Sequence, residues 1–121
     1  MIKIMNMKTD SFEDKPWQFR CDRSSPVGNK LYLQHEADRD YVCEEYQIQF
    51  DNMMISKSEE GKKFQEYIKK LVDAYDIHDK LELFCWCTPK RCHVETIREY
   101  IYSYINWRKE HEANGREEGK L

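Results

Sequence analysis

The sequence predicts an α/β fold, in which one small domain has a short sheet with about three helices packed on it. Two observations predict the strands: residues 2–5 and 17–21 alternate between apolar and polar types, and residues 81–87 are almost continuously apolar. A third predicts the helices, because three further segments repeat apolar residues at helical spacing. A chain of 121 residues is long enough for one modest core, and packing helices on a sheet buries all of these apolar faces.

The elements follow one another as strand, strand, helix, helix, strand and helix. After the first two strands, residues 24–29 contain proline and glycine and are typical of a turn. The first helix is predicted to begin near Asp38, and the second near Ser58, after a break in the apolar pattern. The apolar stripes are Val42, Tyr46, Phe50, Met53 and Met54 in the first helix, and Phe64, Ile68, Leu71, Val72 and Tyr75 in the second.

The strand at residues 81–87 is predicted to be central in the sheet, because its side chains are mostly apolar. A helix over residues 92–107 follows it, with an apolar stripe that ends near Ile105. Residues 108–121 are charged and show no apolar periodicity, which predicts a flexible C-terminal tail after a single domain at residues 1–107. The pattern leaves the order of the strands open.

Composition excludes several classes of protein. Charged residues make up 36% of the chain, and no apolar run approaches the roughly 18 residues of a membrane span. The N-terminus lacks the apolar stretch and cleavage site of a secretory signal. The formal net charge of −3 argues against nonspecific DNA binding. Five cysteines, three of them within eight residues, predict free thiols in a reducing cytoplasm instead of a disulfide framework.

Positive charge is concentrated in two short segments. Residues 15–30 carry a local charge of +3, and residues 84–93 carry a local charge of +2. The first segment offers guanidinium, hydroxyl and amide donors for an anion, from Arg20, Arg23, Ser25 and Asn29. The second adds Lys90 and Arg91. Each segment follows a predicted strand, and the carboxyl ends of parallel strands form the usual ligand crevice of an open sheet. We therefore expect both segments to bind one anionic small molecule.

The most distinctive chemistry lies in the turn after the third strand, which reads Cys85-Trp86-Cys87-Thr88-Pro89-Lys90-Arg91-Cys92-His93. Three interpretations of it stay open. In the first, Cys92 is a reactive thiol at a helix N-terminus, with His93 as its proton partner. In the second, three thiols and an imidazole bind zinc, namely Cys85, Cys87, Cys92 and His93, although their spacing is poor for zinc. In the third, the cysteines are small core residues, which we favour for Cys43 and Cys85.

Both segments resemble those of a family of small domains of unknown function found in bacteria and their phages. Its members pair an Arg…Ser-Pro-Leu-Gly-Asn-Pro-Phe segment with a Leu-x-Cys-Trp-Cys-x-Pro-x-x-Cys-His-Gly segment. Here the first stands at residues 23–31 and the second at residues 83–94, while residues 39–46 look like the family's Arg-led helix. Lys30 and Val94 depart from the pattern, where the family has proline and glycine. The resemblance covers most of the chain and implies a bacterial or phage origin, with both segments in one site.

The sequence therefore predicts a small cytosolic domain that binds a phosphate-bearing, nucleotide-like ligand between residues 20–30 and 87–93. Whether the domain also transforms this ligand is left open, and Cys92 and His93 would then be the catalytic pair. The alternative is a zinc-stabilised interaction module without catalysis, such as a phage protein that engages a host factor. A weaker alternative is an acidic helical surface that mimics a nucleic-acid backbone, formed by Glu44, Glu45, Glu59 and Glu60.

Overall fold

Three parallel strands form the sheet of the computed structural model, which describes residues 1–31, 33–88 and 90–118. They are β1 (Ile2–Asn6), β2 (Gln18–Arg20) and β3 (Leu81–Cys85). Their order is β1-β3-β2, so the apolar strand lies in the centre, as its composition predicts. The two alternating segments form the edge strands. The predicted α/β fold class is thereby confirmed.

Three helices accompany this sheet in the described residues. They are α1 (Arg39–Ile55), which follows a 3₁₀ turn at Glu36–Asp38, α2 (Glu59–His78), and α3 (Val94–Glu118). The second helix starts at the predicted break, where the Ser58 hydroxyl accepts a hydrogen bond from the Gly61 backbone N–H at 3.0 Å. It ends at His78, and the left-handed backbone of the next residue, Asp79 (φ 56°), turns the chain toward β3.

The core lies between the sheet and the helices and uses the predicted apolar stripes. Its large, fully buried side chains include Tyr46, Phe50, Phe64, Leu71, Leu81, Leu83, Ile97 and Ile101. The Phe50 ring of α1 joins the layers, because its centre lies 5.4 Å from that of Phe64 in α2 and 5.2 Å from that of Tyr100 in α3. Burying a side chain of this size contributes about 1.5–3 kcal/mol.

The register of the sheet brings the carboxyl ends of the strands to one edge. Asn6 is paired with Cys85 across β1 and β3, and Arg20 with Phe84 across β2 and β3. The loops that follow β2 and β3 therefore leave the sheet side by side. The predicted ligand crevice requires parallel pairing, and the structure has it.

The last helix is longer than the sequence predicts. It begins at Val94 and extends to Glu118, so residues 108–118 are helical, while residues 119–121 lie outside the described residues. The predicted end lies where the apolar periodicity stops, but arginine, lysine, glutamate and alanine favour a helix without such a stripe. Arg108 also joins this segment to α2 through hydrogen bonds of 3.0 and 2.5 Å to Asp76. No described helix has the length and apolarity needed to cross a membrane.

Candidate functional site

A cavity of about 400 Å³ opens at the carboxyl edge of the sheet, between the loops after β2 and β3 and the start of α1. Its basic lining residues in the described chain are Arg20, Arg23, Arg39 and Arg91. Its sulfur and imidazole groups belong to Cys43, Cys87, Cys92 and His93. Its apolar side chains are Leu31, Leu33, Val42 and Trp86, and its remaining polar ones are Asp22, Ser24 and Asn29. The two basic segments thus meet around one space.

Most of the sequence-predicted residues line this cavity, namely Arg20, Arg23, Asn29, Cys87, Arg91, Cys92 and His93. Three others do not. Ser25 donates its hydroxyl to the Asp22 carbonyl at 2.8 Å and lines a separate cavity. Lys90 pairs with Glu36 at 3.3 Å, beside the opening. Cys85 is 1% exposed and belongs to the core, as its position on β3 suggests. These three side chains support or flank the cavity.

Asp22 joins the two loops, although in the sequence it is only a lone acid among cations. Its carboxylate accepts hydrogen bonds from the Arg20 guanidinium at 2.5 Å, the Ser24 hydroxyl at 2.5 Å and the Trp86 indole N–H at 2.8 Å. Burial opposes ionisation of this carboxyl, but the hydrogen bonds outweigh burial and lower the pKa of Asp22 to about 2. Because Trp86 follows β3, the ionised carboxylate connects the ends of two strands.

The loop after β2 is packed so closely at Gly28 that only glycine fits. A Cβ atom at this position would lie 2.5 Å from the Asp22 carbonyl oxygen and 2.6 Å from the Arg23 Cα atom. The Tyr46 hydroxyl fixes the same loop to α1 by donating to the Val27 carbonyl at 2.5 Å. These contacts hold Arg23 at the cavity.

Carboxylates at the rim hold the guanidinium groups. Arg39 makes two hydrogen bonds to Glu36, of 2.9 and 2.8 Å, and donates to the Arg91 carbonyl at 2.9 Å. The Arg91 guanidinium itself pairs with Asp40 at 2.9 Å. Arg20 has a buried Nε that finds no hydrogen-bond acceptor among the described residues. The cations are therefore positioned, and Arg20 keeps one donor that no described residue accepts.

Three thiols lie together beside the cavity and share hydrogen bonds. The Cys92 side chain hydrogen-bonds to Cys85 and to Cys87. The pKa of Cys87 is lowered to about 6, because the hydrogen bonds with Cys92 and with the Arg39 guanidinium outweigh the opposing effect of partial burial. Cys92 also lowers the pKa of Cys85, to about 7, but charge on Cys87 opposes ionisation of Cys85. The hydrogen bonds and burial raise the pKa of Cys92 far above its usual range. Of the three thiols, Cys87 therefore has the lowest pKa. This differs from the expectation that Cys92 carries the lowered pKa.

His93 is fixed by both of its ring nitrogens. Nε2 lies 2.6 Å from the Cys21 carbonyl oxygen, which can only accept, so Nε2 carries the proton. Nδ1 then presents its lone pair to the Cys92 Sγ atom, 3.4 Å away, and competes with Cys85 and Cys87 for the single Cys92 S–H proton. Burial lowers the pKa of His93 and so favours the neutral ring. The hydrogen bond to the Cys21 carbonyl opposes this shift but is the smaller effect. Cys92 and His93 can meet because both precede Val94, the first residue of α3.

The backbone N–H groups at the start of α3 have acceptors within the chain. The Cys92 N–H donates to the Glu95 carboxylate at 3.0 Å, as in a capping box, and the Val94 N–H donates to the Cys92 sulfur. The Cys92 and Val94 N–H groups are therefore already paired within the chain. A ligand would encounter arginine side chains instead.

The sequence-predicted zinc ligands are neighbours, since Cys92 contacts Cys85, Cys87 and His93. Within the described part of the chain, however, no group of three or more histidine, cysteine, aspartate or glutamate side chains is arranged to hold a metal ion. The contacts that these four side chains make with one another are hydrogen bonds.

Two cavity residues with clear chemistry lie outside the sequence-predicted set. Arg39 is the first residue of α1, and the only signal for it is its place at the head of the helix in the family resemblance. Trp86 is 55% exposed, and it stands between the two cysteines that attract attention in the sequence. Both residues line the cavity because of the fold, and no local sequence spacing predicts this position.

Comparison with protein-family models finds a match over residues 4–103 to a model described as a domain of unknown function, DUF4326. Comparisons with curated proteins and with solved structures find no significant match. The matched range includes all the strands except the first residues of β1, both basic loops and the first part of α3, up to residue 103.

Proposed function

This chain belongs to the DUF4326 family of domains of unknown function, and we propose that it binds a phosphate-bearing, nucleotide-like small molecule in the cavity at the carboxyl edge of its sheet. The ligand would lie between residues 20–30 and 87–93. A bacterial or phage origin and a cytoplasmic location stay predictions from the sequence.

The observation that carries this proposal is the convergence of guanidinium groups from three parts of the chain. Arg20 and Arg23 belong to the end of β2 and its loop, Arg39 to the start of α1, and Arg91 to the turn after β3. Among the described residues, Asp22 provides the only carboxylate that lines the same cavity. Guanidinium groups bind phosphate through pairs of parallel hydrogen bonds, which makes arginine the preferred residue for recognising this anion.

The rim carboxylates do not prevent a phosphate from binding these arginines. The side chains of Glu36 and Asp40 are 61% and 78% exposed, and exposed ion pairs contribute only about 0–1 kcal/mol. A phosphate group can therefore replace them at little cost. Arg20 supports the same conclusion, because its Nε–H has no acceptor among the described side chains and backbone groups.

The apolar part of the cavity favours a ligand with a flat ring attached to its phosphate. The exposed Trp86 indole is held by its hydrogen bond to Asp22, and Leu31, Leu33 and Val42 line the same space. An aromatic ring beside cations is a typical platform for stacking a nucleobase. A volume of about 400 Å³ also lies within the range of small-molecule sites.

Calorimetric titration with inorganic pyrophosphate, AMP and ADP tests the proposal. We expect binding that weakens with added salt and that falls about tenfold or more in Arg23→Ala and in Arg91→Ala, since each removes charge-assisted hydrogen bonds of about 1.5–3 kcal/mol. Lys90→Ala should have a smaller effect because Lys90 flanks the cavity. Lys69→Ala is the matched control, as this lysine is 77% exposed on α2 and pairs with Asp73. Unchanged binding in both arginine variants would remove the proposal.

The zinc-stabilised interaction module stays the alternative function, with Cys85, Cys87, Cys92 and His93 as its ligands and a protein such as a host factor as its partner. Elemental analysis of the purified protein separates the two. Stoichiometric zinc, with loss of the fold on chelation, would favour the module. Metal-free protein that binds pyrophosphate would favour the small-molecule site.

A further inference from the structure

We infer that the ligand has two ring-bearing halves joined through phosphate, and that its second half lies in a neighbouring cavity that shares Arg20 and Ser24 with the first. The substrate class is therefore a dinucleotide, in which one or two phosphate groups link two nucleosides. This inference rests on the proposed function, because the first half occupies the cavity already described. The place of the second half rests on a different set of side chains.

The second cavity has a volume of about 510 Å³ and lies beside β2 and the loops before and after this strand. Arg20 and Ser24 line both cavities, so these two residues form the boundary between them. The aromatic residues that line the second cavity are Phe12, Phe19 and Tyr67. A ligand that crosses the boundary therefore finds aromatic rings on its far side.

Arg20 is suited to hold a phosphate group that belongs to both halves of the ligand. Asp22 accepts a hydrogen bond from the Nη2 atom of Arg20 at 2.5 Å, which orients the guanidinium. The Arg20 side chain nevertheless stays 38% exposed, and Ser24 beside it is exposed as well. A guanidinium has five N–H donors on three nitrogens, so the bond to Asp22 leaves others for an anion. A phosphate can contact Arg20 here while each attached nucleoside enters a different cavity.

The aromatic rings of the second cavity are held in fixed positions. The centre of the Phe12 ring lies 5.0 Å from that of the buried Phe84, and the two rings meet edge to face. Phe19 and Tyr67 meet in the same way at 6.1 Å, and the Tyr67 hydroxyl donates to the Arg20 carbonyl at 2.5 Å. All three lining rings are partly exposed. Partly exposed rings beside a cation are the combination that binds a nucleobase by stacking.

Gln18 holds the loop that brings a second cation to this cavity. Its side chain is only 7% exposed, and its Oε1 atom accepts a hydrogen bond from the Lys15 backbone N–H at 3.1 Å. Its Nε2 atom donates to the Glu82 carboxylate of β3 at 2.9 Å. The charged side chains of the second cavity are Lys15 and Arg20 against Asp14, and the positive excess suits a phosphate.

A ligand with two halves gains affinity because its second half binds as part of the same molecule. Once the first half is held, the second half is already concentrated near its own cavity. A mononucleotide fills one cavity and lacks this gain. The affinity difference between one-base and two-base ligands therefore measures the contribution of the second cavity.

Calorimetric titration with two matched pairs of probes tests the inference. Diadenosine pyrophosphate is compared with ADP, which has the same two phosphates but one base, and the dinucleotide ApA is compared with AMP. We expect at least one dinucleotide to bind about tenfold or more tightly than its one-base counterpart, because a further base is stacked. The pair with the larger difference identifies whether two phosphates or one link the halves.

Two substitutions in the second cavity locate the additional affinity. Lys15→Ala removes an exposed cation, and Phe12→Leu removes a ring but keeps an apolar side chain against Phe84. Each variant should weaken dinucleotide binding about threefold or more and leave AMP binding unchanged. Unchanged AMP affinity also shows that the first cavity is intact, and circular dichroism checks the fold. Lys69→Ala, on α2, is the control and should change neither affinity.

The failure of this inference and the failure of the proposed function give different results. If AMP and ADP bind but neither dinucleotide binds more tightly than its counterpart, the ligand with two halves is refuted and the proposed function stands. Natural dinucleotide affinity in both variants would refute it too, as would an equal loss of AMP and dinucleotide affinity in Lys15→Ala. If neither pyrophosphate nor any of the four nucleotides binds, the proposed function itself is refuted.

Discussion

The Asp22 carboxylate connects the loops after β2 and β3, and replacing it with asparagine removes the charge from that connection. The variant keeps the size of the side chain and one oxygen acceptor. The amide N–H₂ group of the new asparagine would however face hydrogen-bond donors, because the Arg20 guanidinium, the Ser24 hydroxyl and the Trp86 indole N–H all donate to Asp22 in the natural sequence. We therefore expect Asp22→Asn to fold but to be less stable than the natural sequence.

The magnitude follows from the pKa of Asp22, which folding lowers from 3.8 to about 2. A pKa difference of one corresponds to about 1.4 kcal/mol, so the ionised carboxylate contributes about 2 kcal/mol to the free energy of unfolding. The side chain is only 9% exposed, and solvent screens its hydrogen bonds weakly. Because the folded pKa is the lower one, this contribution is fully present above about pH 4 and is lost as the pH falls toward 2.

Urea unfolding, followed by circular dichroism between pH 2 and pH 7, measures both effects. At pH 7 the midpoint of Asp22→Asn should fall by roughly 1 M, with an unchanged slope. The natural chain should lose about 2 kcal/mol more than the variant between pH 4 and pH 2. Asp73→Asn is the control, because its exposed pair with Lys69 is expected to contribute less than about 0.5 kcal/mol. Equal midpoints at pH 7, or the same acid sensitivity in both proteins, would refute the reasoning.

Two other substitutions distinguish a change that affects both stability and pyrophosphate binding from one that affects stability alone. Gly28→Ala should destabilise the chain by about 1–3 kcal/mol and weaken pyrophosphate binding, because the added Cβ meets backbone atoms of Asp22 and Arg23 that cannot rotate away. Ser58→Ala should cost about 1 kcal/mol and leave pyrophosphate binding unchanged, because it removes only the helix cap to Gly61. Urea unfolding and calorimetry measure both quantities, and natural affinity in Gly28→Ala or natural stability in Ser58→Ala would contradict these expectations.

Apolar periodicity is sufficient to predict the scaffold, since each stripe faces a partner surface in the core. Tyr46 and Phe50 follow one stripe of α1, and both are buried against other elements as their spacing predicts. The same rule fails at residues 108–118, where helix propensity continues after the stripe has ended. An apolar pattern cannot report a helix that continues beyond its apolar stripe.

The place of the candidate site was also accessible to sequence reasoning, but the division of roles among its thiols was not. Basic residues after two strands predict a shared edge once the strands are parallel. Which sulfur ionises depends instead on neighbours that only the fold supplies. Arg39 lies far from Cys87 in the sequence, and burial and hydrogen bonds with two other thiols raise the pKa of Cys92 only once the chain is folded.

The same arginine that stabilises the Cys87 thiolate also lines the proposed phosphate site, so the two negative charges compete for it. A phosphate drawn to Arg39 alone would weaken the stabilisation of the thiolate, and an ionised Cys87 would weaken the phosphate complex by the same free energy. Additional guanidinium groups relieve this conflict, because Arg20, Arg23 and Arg91 can bind the phosphate while Arg39 stays with the sulfur. The Cys92 N–H at the start of α3 cannot bind the phosphate instead, since it already donates to the Glu95 carboxylate. A site that holds an anion next to a thiolate thus needs several cations on separate segments, and the fold supplies them at one edge of its sheet.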